Sequence, residues 1–166
     1  MNKKFFTPLR IAHGAIIAAV YVVLCIVFQP ISYGPVQFRI AEALTIMPLF
    51  TPAAIPGLFV GCVLANILGH GVILDVIFGS IATLIGAVLG YLLRRNRWLV
   101  PIPAVVANAL IIPVVLRYVY GFTDVPIALE MLYILAGEVV GCYILGELLA
   151  AILIPRRKAL FKDDAL

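Results

Sequence analysis

Ionisable and amide side chains stand at widely separated points of an otherwise apolar chain: Gln37, Arg39 and Glu42; Asn66 and Asp75; Asn108 and Arg117; Glu130, Glu138 and Glu147. Near the centre of a bilayer an ionisable group costs ~2.5–3.5 kcal/mol on insertion scales, so each needs a partner, water or a ligand. Glu138 lies deepest in its run. Gly137 and Gly141 beside it follow the small-xxx-small spacing that lets another helix or a flat ligand approach closely. Glu138 is therefore the strongest single candidate for contacting a cation or an N–H-rich ring. The competing role is a structural partner for Arg39 or Arg117.

The remaining candidates divide in the same way. Arg39 and Glu42 are three residues apart and share a helix face, either as a self-neutralising pair or as ligand contacts with Arg39 orienting Glu42. Asn66 and Asp75 flank the turn Gly69-His70-Gly71. Asp75 also suits a helix N-terminus through the macrodipole, and His70 reads as a loop residue. Asn108 either hydrogen-bonds a neighbouring helix or reads the edge of a heterocycle. Arg117 either snorkels to the interface or joins the site. Glu130 and Glu147 lie near opposite ends of their segment, within reach of water. The set suits a flat polar ligand with several donors, including a cationic one, with Tyr33, Phe38 and Tyr118 as stacking surfaces.

The elements that must hold these residues are membrane helices. The chain has 166 residues, 64% hydrophobic and 12% charged, which a single soluble core of this size cannot accommodate. Six apolar segments fall at roughly 9–29, 36–50, 52–69, 72–94, 99–120 and 126–154, punctuated by Pro and Gly. The reading is an all-α integral membrane protein of six transmembrane helices in one domain over residues 1–166. The second segment is short: fifteen residues rise roughly 22 Å against a ~30 Å hydrocarbon core. A short, tilted or partly sunken second span is expected.

Charge placement supports six crossings. Lys3, Lys4 and Arg10 precede the first run, Arg94, Arg95 and Arg97 cluster mid-chain, and Arg156, Arg157, Lys158 and Lys162 follow the last. With six spans, all three groups fall on the inner side together with both termini. Tyr118, Tyr120 and Phe122 then mark the outer interface and Trp98 the inner one. The expected location is the bacterial cytoplasmic (inner) membrane, with both termini cytoplasmic. The run from Ile11 to Phe28 is long for a signal-peptide core and reads as a retained first helix. In that run Ala12, Ala15 and Ala19 share a face, with Gly14 and Ala18 beside it, suited to internal packing or to docking a separate membrane subunit.

Several function classes are disfavoured. The cations sit at helix ends rather than over a polar face, which argues against a nucleic-acid partner. Cys25, Cys62 and Cys142 follow no metal or disulfide spacing and read as buried thiols. No nucleophile–base pair, metal cluster or cofactor motif stands out, so an enzyme is not expected. No G-x-x-x-x-G-K-[ST] loop is present, so any ATP-driven transport needs a partner.

The stretches Gln37-Phe38-Arg39-Ile40-Ala41-Glu42-Ala43-Leu44-Thr45, Pro52-Ala53-Ala54-Ile55-Pro56-Gly57-Leu58, Asp75-Val76-Ile77-Phe78-Gly79-Ser80 and Asn108-Ala109-Leu110 resemble, in that order, the signature of the QueT family. These are substrate-binding S components of energy-coupling factor (ECF) transporters for queuosine precursors. The resemblance implies a six-helix S-component bundle and a 7-deazaguanine substrate such as 7-aminomethyl-7-deazaguanine. It implies partners as well: a transmembrane coupling subunit and two ATPase subunits. Glu138 or Glu42 would then meet the amine or the ring N–H groups, and Asn108 a base edge. Gln37, Arg39, Asp75, Asn66 and Arg117 complete the expected site. Ala15 and Ala19, with Ala12, match the Ala-xxx-Ala face that S components dock on the coupling subunit. Toppling in the membrane is the transport step the resemblance implies. A stand-alone proton-coupled secondary transporter, with Glu138 or Glu42 carrying the proton, is the alternative.

Overall fold

Helix α1, Pro8–Val27, begins where Thr7 caps it by accepting a hydrogen bond from the Arg10 amide, with Pro8 in the first turn, where its missing N–H is harmless. The computed structural model describes residues 7–32, 38–69, 71–121, 123–162 and 164. Among them the chain forms helices and turns and no strand. A short helix α2 (Gln29–Ser32) is followed by a 3₁₀ helix, Ile40–Leu49. Next come α3 (Ala54–Leu68), α4 (Ile73–Leu92) and α5 (Ile102–Val119). The last long segment joins α6 (Ile127–Glu138), a π-helical turn (Val139–Leu145) and α7 (Gly146–Leu153), with a short α8 (Arg157–Leu160) after it.

Four stretches are long and apolar enough to cross a membrane: Pro8–Val27, Ile73–Leu92, Arg97–Val119 and Ile127–Leu160. Ile40–Leu49 and Ala54–Leu68 are shorter apolar helices. Of the six transmembrane helices expected, with a short second one, four stretches among the described residues are long enough to span, so the count of six is not established by length. The polypeptide is a multi-pass membrane protein: Ile11, Ile16, Ile73, Leu92, Ile144 and Leu148 stand exposed on the helix exteriors, as lipid-facing positions do.

Glycine decides which helices touch. At Gly57 on α3 an added Cβ would sit 2.7 Å from the Gly14 carbonyl oxygen of α1, and at Gly61 2.9 Å from the Tyr21 Cβ. At Gly86 on α4 it would meet Ala104 of α5 at 2.8 Å, and at Gly90 the Val100 carbonyl at the same distance. Backbones without Cβ atoms approach closely, which is how helices gain contact in lipid. The result is a row in which α1 packs on α3, α3 on α4, α4 on α5 and α5 on α6.

The 3₁₀ helix closes the row from within. It packs against the π turn, α7, α4 and α1, and every residue from Ala41 to Leu49 is buried. The second segment is therefore enclosed by the other helices from Ala41 to Leu49, where a short, tilted or partly sunken span was expected. Its rise of ~2.0 Å per residue draws ten residues out to roughly 20 Å. Arg39, at its start, donates to the Ser32 carbonyl at the end of α2, while the Leu49 carbonyl accepts from Arg157.

The end holding Arg157 also gathers Arg10 and the last described residue. Asp164 is buried, accepting from Arg10 Nε at 2.8 Å and from Thr51 Oγ1 at 2.6 Å. Phe161 stacks on Phe50, and Arg97 pairs with Glu147 at 3.4 Å.

Candidate functional site

The π turn follows Glu138 directly and packs against the 3₁₀ helix. Gly141 makes the approach possible: a Cβ there would lie 3.2 Å from the Arg39 carbonyl oxygen and 3.3 Å from the Glu42 Cβ. Gly146, further along, similarly faces Ala43 and Ile46. Two residues far apart in sequence, Glu42 and Glu138, consequently share one buried space with Cys142, each offering an atom within 4.8 Å of the others.

The polar atoms around this space are unevenly satisfied. Glu42 Oε1 accepts a hydrogen bond from the Tyr21 hydroxyl at 2.7 Å, whereas Oε2 is buried and finds no hydrogen-bond partner among the described residues. Glu138 Oε2 accepts from the Cys142 thiol at 3.3 Å, and Asn108 on α5 is a polar neighbour of the same carboxylate. Arg39, also buried, lies close enough to act electrostatically on Glu42, Glu138 and Asp75. Four expected residues, Arg39, Glu42, Asn108 and Glu138, thus surround one centre. Gln37 lies outside the described residues, as do Tyr33, His70 and Phe122.

Asn66 and Asp75 form a second group at the turn between α3 and α4. Gly71 and Gly79 leave room for both: a Cβ on Gly79 would lie 3.2 Å from Asn66 Nδ2 and 3.7 Å from Asp75 Oδ1. Asp75 Oδ2 accepts from the Tyr120 hydroxyl at 3.1 Å, and that hydroxyl accepts from the Val72 amide. Burial raises the Tyr120 hydroxyl above the ordinary tyrosine range, and the Asp75 carboxylate adds to the shift, so it remains a donor. Asn66 Oδ1 and Asp75 Oδ1 are buried without hydrogen-bond partners among the described residues. Cys62 accepts from Asn66 Nδ2 at 3.5 Å and from Thr83 Oγ1 at 3.3 Å.

Arg117 stands apart from both groups. It donates to the Val125 carbonyl at 3.1 Å and faces Glu130 at 3.7 Å, tying the end of α5 to the start of α6. Tyr118, expected as a stacking surface, is 79% exposed and lines an outer groove with Leu74, Phe78 and Val114. It is not part of the buried centre. Phe38 is half-buried beside Arg39.

Tyr21 and Cys142 were not among the expected residues. A lone tyrosine amid the Gly14, Ile17, Ala18 and Cys25 face of α1 was the available signal for the first. One helical turn from Glu138 was the signal for the second. Glu42, Glu138 and Cys142 form the one group of potential metal ligands among the described residues. Two hard oxygens and one soft sulfur favour no particular metal, and they suit an N–H-rich organic cation equally well.

On α1 the small residues divide. Gly14 and Ala18 are buried against α3, while Ala12, Ala15 and Ala19 are exposed. Ala15 lines an apolar groove with Ile11, Gly14, Pro56, Gly57 and Val60, and Arg10 stands along it.

A multi-pass helical membrane protein with costly polar groups gathered inside its bundle has the organisation of a small-molecule carrier. The particular family follows from comparison: residues 11–155 match the QueT transporter family model, and the chain belongs to that family. It is also 41% identical over 81 residues to a protein of Lactococcus lactis subsp. cremoris (strain MG1363) named queuosine precursor transporter QueT. That match covers 48% of this chain and 47% of the relative, so it spans about half of the relative's length. No solved structure matches the chain.

Proposed function

We propose that this protein is the membrane-embedded substrate-binding (S) subunit of an ECF-type importer, and that it takes up a queuosine precursor, a 7-deazaguanine such as 7-aminomethyl-7-deazaguanine. The observation that carries the reading is the buried carboxylate pair Glu42 and Glu138, with Glu42 Oε2 unpartnered among the described residues and Arg39 and Asn108 beside it. A carboxylate held out of water gains most from a charged or strongly polarised N–H donor. An aminomethyl group and the N–H groups of a purine-like ring supply such donors, and the Asn108 amide matches a base edge. Membership of the QueT transporter family and the name of the Lactococcus relative agree with this substrate class.

In this reading the two short helices complete six crossings, and the end with Arg10, Arg97 and Arg157 faces the cytoplasm together with both termini. The membrane is the bacterial cytoplasmic one. Asn66 and Asp75 belong to the entry side of the pocket, with Arg117 bracing its rim, and Gln37 is a further substrate-contact candidate. Ala12, Ala15 and Ala19 meet a transmembrane coupling subunit whose two ATPase partners supply the energy. The chain itself is no enzyme and binds no nucleic acid.

Isothermal titration of the detergent-purified chain with 7-aminomethyl-7-deazaguanine, the nitrile form and queuine tests the substrate claim. Saturable 1:1 binding of at least one is expected, and absence of heat and of thermal stabilisation with all of them would remove it. Reconstitution into liposomes tests the coupling claim. Uptake that needs the ATPase module supports the importer, and accumulation driven by a proton gradient alone would replace it with a secondary transporter.

A further inference from the structure

We infer that Tyr21 is a positioning residue of the binding site: its hydroxyl fixes one oxygen of Glu42 so that the other is presented to the ligand beside Glu138. The inference rests on the binding reading above and concerns a residue on a helix that contributes no charge to the site.

Tyr21 is fully buried on the inward face of α1, and its hydroxyl donates to Glu42 Oε1 at 2.7 Å. The torsion at the end of a glutamate side chain is broad and poorly determined by sterics. A single strong hydrogen bond to one oxygen therefore sets the plane of the carboxylate and the direction of its second oxygen. That second oxygen, Oε2, is buried and finds no hydrogen-bond partner among the described residues, and one oxygen of this carboxylate lies within 4.8 Å of ligand atoms of Glu138 and Cys142. An orphaned buried acceptor is costly, and more so when charged, so Oε2 gains from any ligand N–H that reaches it.

The tyrosine is itself held. Gly61 of α3 faces it so closely that a Cβ there would lie 2.9 Å from the Tyr21 Cβ. With its Cβ against α3 and its hydroxyl on the 3₁₀ helix, the fully buried side chain is held at both ends. The chain of restraint runs from Gly61 to Tyr21 to Glu42 Oε1, and it leaves Oε2 in a fixed direction before any ligand arrives. Preorganisation of this kind removes an ordering cost from binding.

The test is a double-mutant cycle on the full-length, detergent-purified chain with 7-aminomethyl-7-deazaguanine as titrant. Tyr21→Phe removes one oxygen and is expected to weaken binding about tenfold, the range for a hydrogen bond to a charged group. The thermal midpoint without ligand, measured alongside, reports the fold. In a Glu42→Gln background the same Tyr21→Phe change is expected to cost less than about twofold, since the pair acts as a unit. Gly61→Ala, which displaces Tyr21 while keeping its hydroxyl, serves as a second variant and is expected to weaken binding in the same direction.

If the wild type binds, Glu42→Gln weakens binding and neither Tyr21→Phe nor Gly61→Ala does, the inference is overturned while the binding reading stands. A Tyr21→Phe penalty that persists in full without Glu42 also overturns it. If the wild type takes up no deazapurine, both fall together.

Discussion

Helix α1 and the 3₁₀ helix Ile40–Leu49 are both apolar runs, yet the membrane protein treats them in opposite ways. On α1, residues such as Ile11, Ile16 and Val23 are exposed and only one stripe is buried. In the 3₁₀ helix the whole stretch from Ala41 to Leu49 is inside, including the charged Glu42. The difference teaches what each carries. Along its middle, the helix in contact with lipid contributes to the interior small residues and one hydroxyl, while the shielded helix keeps a carboxylate there, with Arg39 at its start, because neighbours replace the missing water.

This contrast can be broken most directly by truncating a side chain in each element. Ile46→Ala, at a fully buried position of the 3₁₀ helix, is expected to cost ~2 kcal/mol or more through lost packing. Ile16→Ala on the exposed face of α1 should change stability by less than ~0.5 kcal/mol, since lipid tails are as apolar as the side chain removed. Thermal midpoints in detergent compare them, and equal shifts would contradict the burial difference.

A second, comparably large effect concerns the site itself. Glu138→Gln is expected to weaken 7-aminomethyl-7-deazaguanine binding by about 100-fold, at the upper end for a hydrogen bond to a charged group. Calorimetry measures it, and an unchanged affinity would remove Glu138 from the site. A smaller effect is expected where the 3₁₀ helix meets the π turn. Gly141→Ala places a Cβ 3.2 Å from the Arg39 carbonyl and is expected to destabilise by ~1 kcal/mol, with weaker binding because Glu42 must shift. Unaltered stability and affinity would mean that this contact relaxes freely.

The smallest effect belongs to the outward face of α1. Ala15→Leu with Ala19→Leu should leave both ligand affinity and the thermal midpoint of the isolated chain close to wild type, because these positions are exposed. Co-purification with the coupling subunit should nevertheless be lost. Retained co-purification would move the docking surface elsewhere.

Much of the architecture was legible because hydropathy is a property of contiguous residues. The long runs that became α1, α4, α5 and the last segment, and the breaks at Gly69–Gly71 and Arg94–Arg97, all follow from local composition. The second segment was legible as short and apolar but not as enclosed by the other helices. An element buried on every side carries no periodic contrast to report its surroundings. The small-residue face of α1 was legible too, though only packing against Gly57 and Gly61 divided it into a buried and an exposed stripe.

For the site, composition singled out the residue types by their cost in lipid: Glu138, Glu42, Arg39 and Asn108 stood out for being charged or amidic where neighbours were not. It did not reveal which of them meet. Arg117 stood out equally and turned to Glu130, and Tyr118 pointed outward. The sequence alone determined a membrane protein with polar groups that had to be accounted for, because lipid penalises each such group wherever it lies. Only the tertiary structure decided that Glu42 and Glu138 share one space and that Tyr21 reaches the first of them. Those contacts depend on a π turn and on glycines at 141 and 61, whose effect is felt only when another helix arrives.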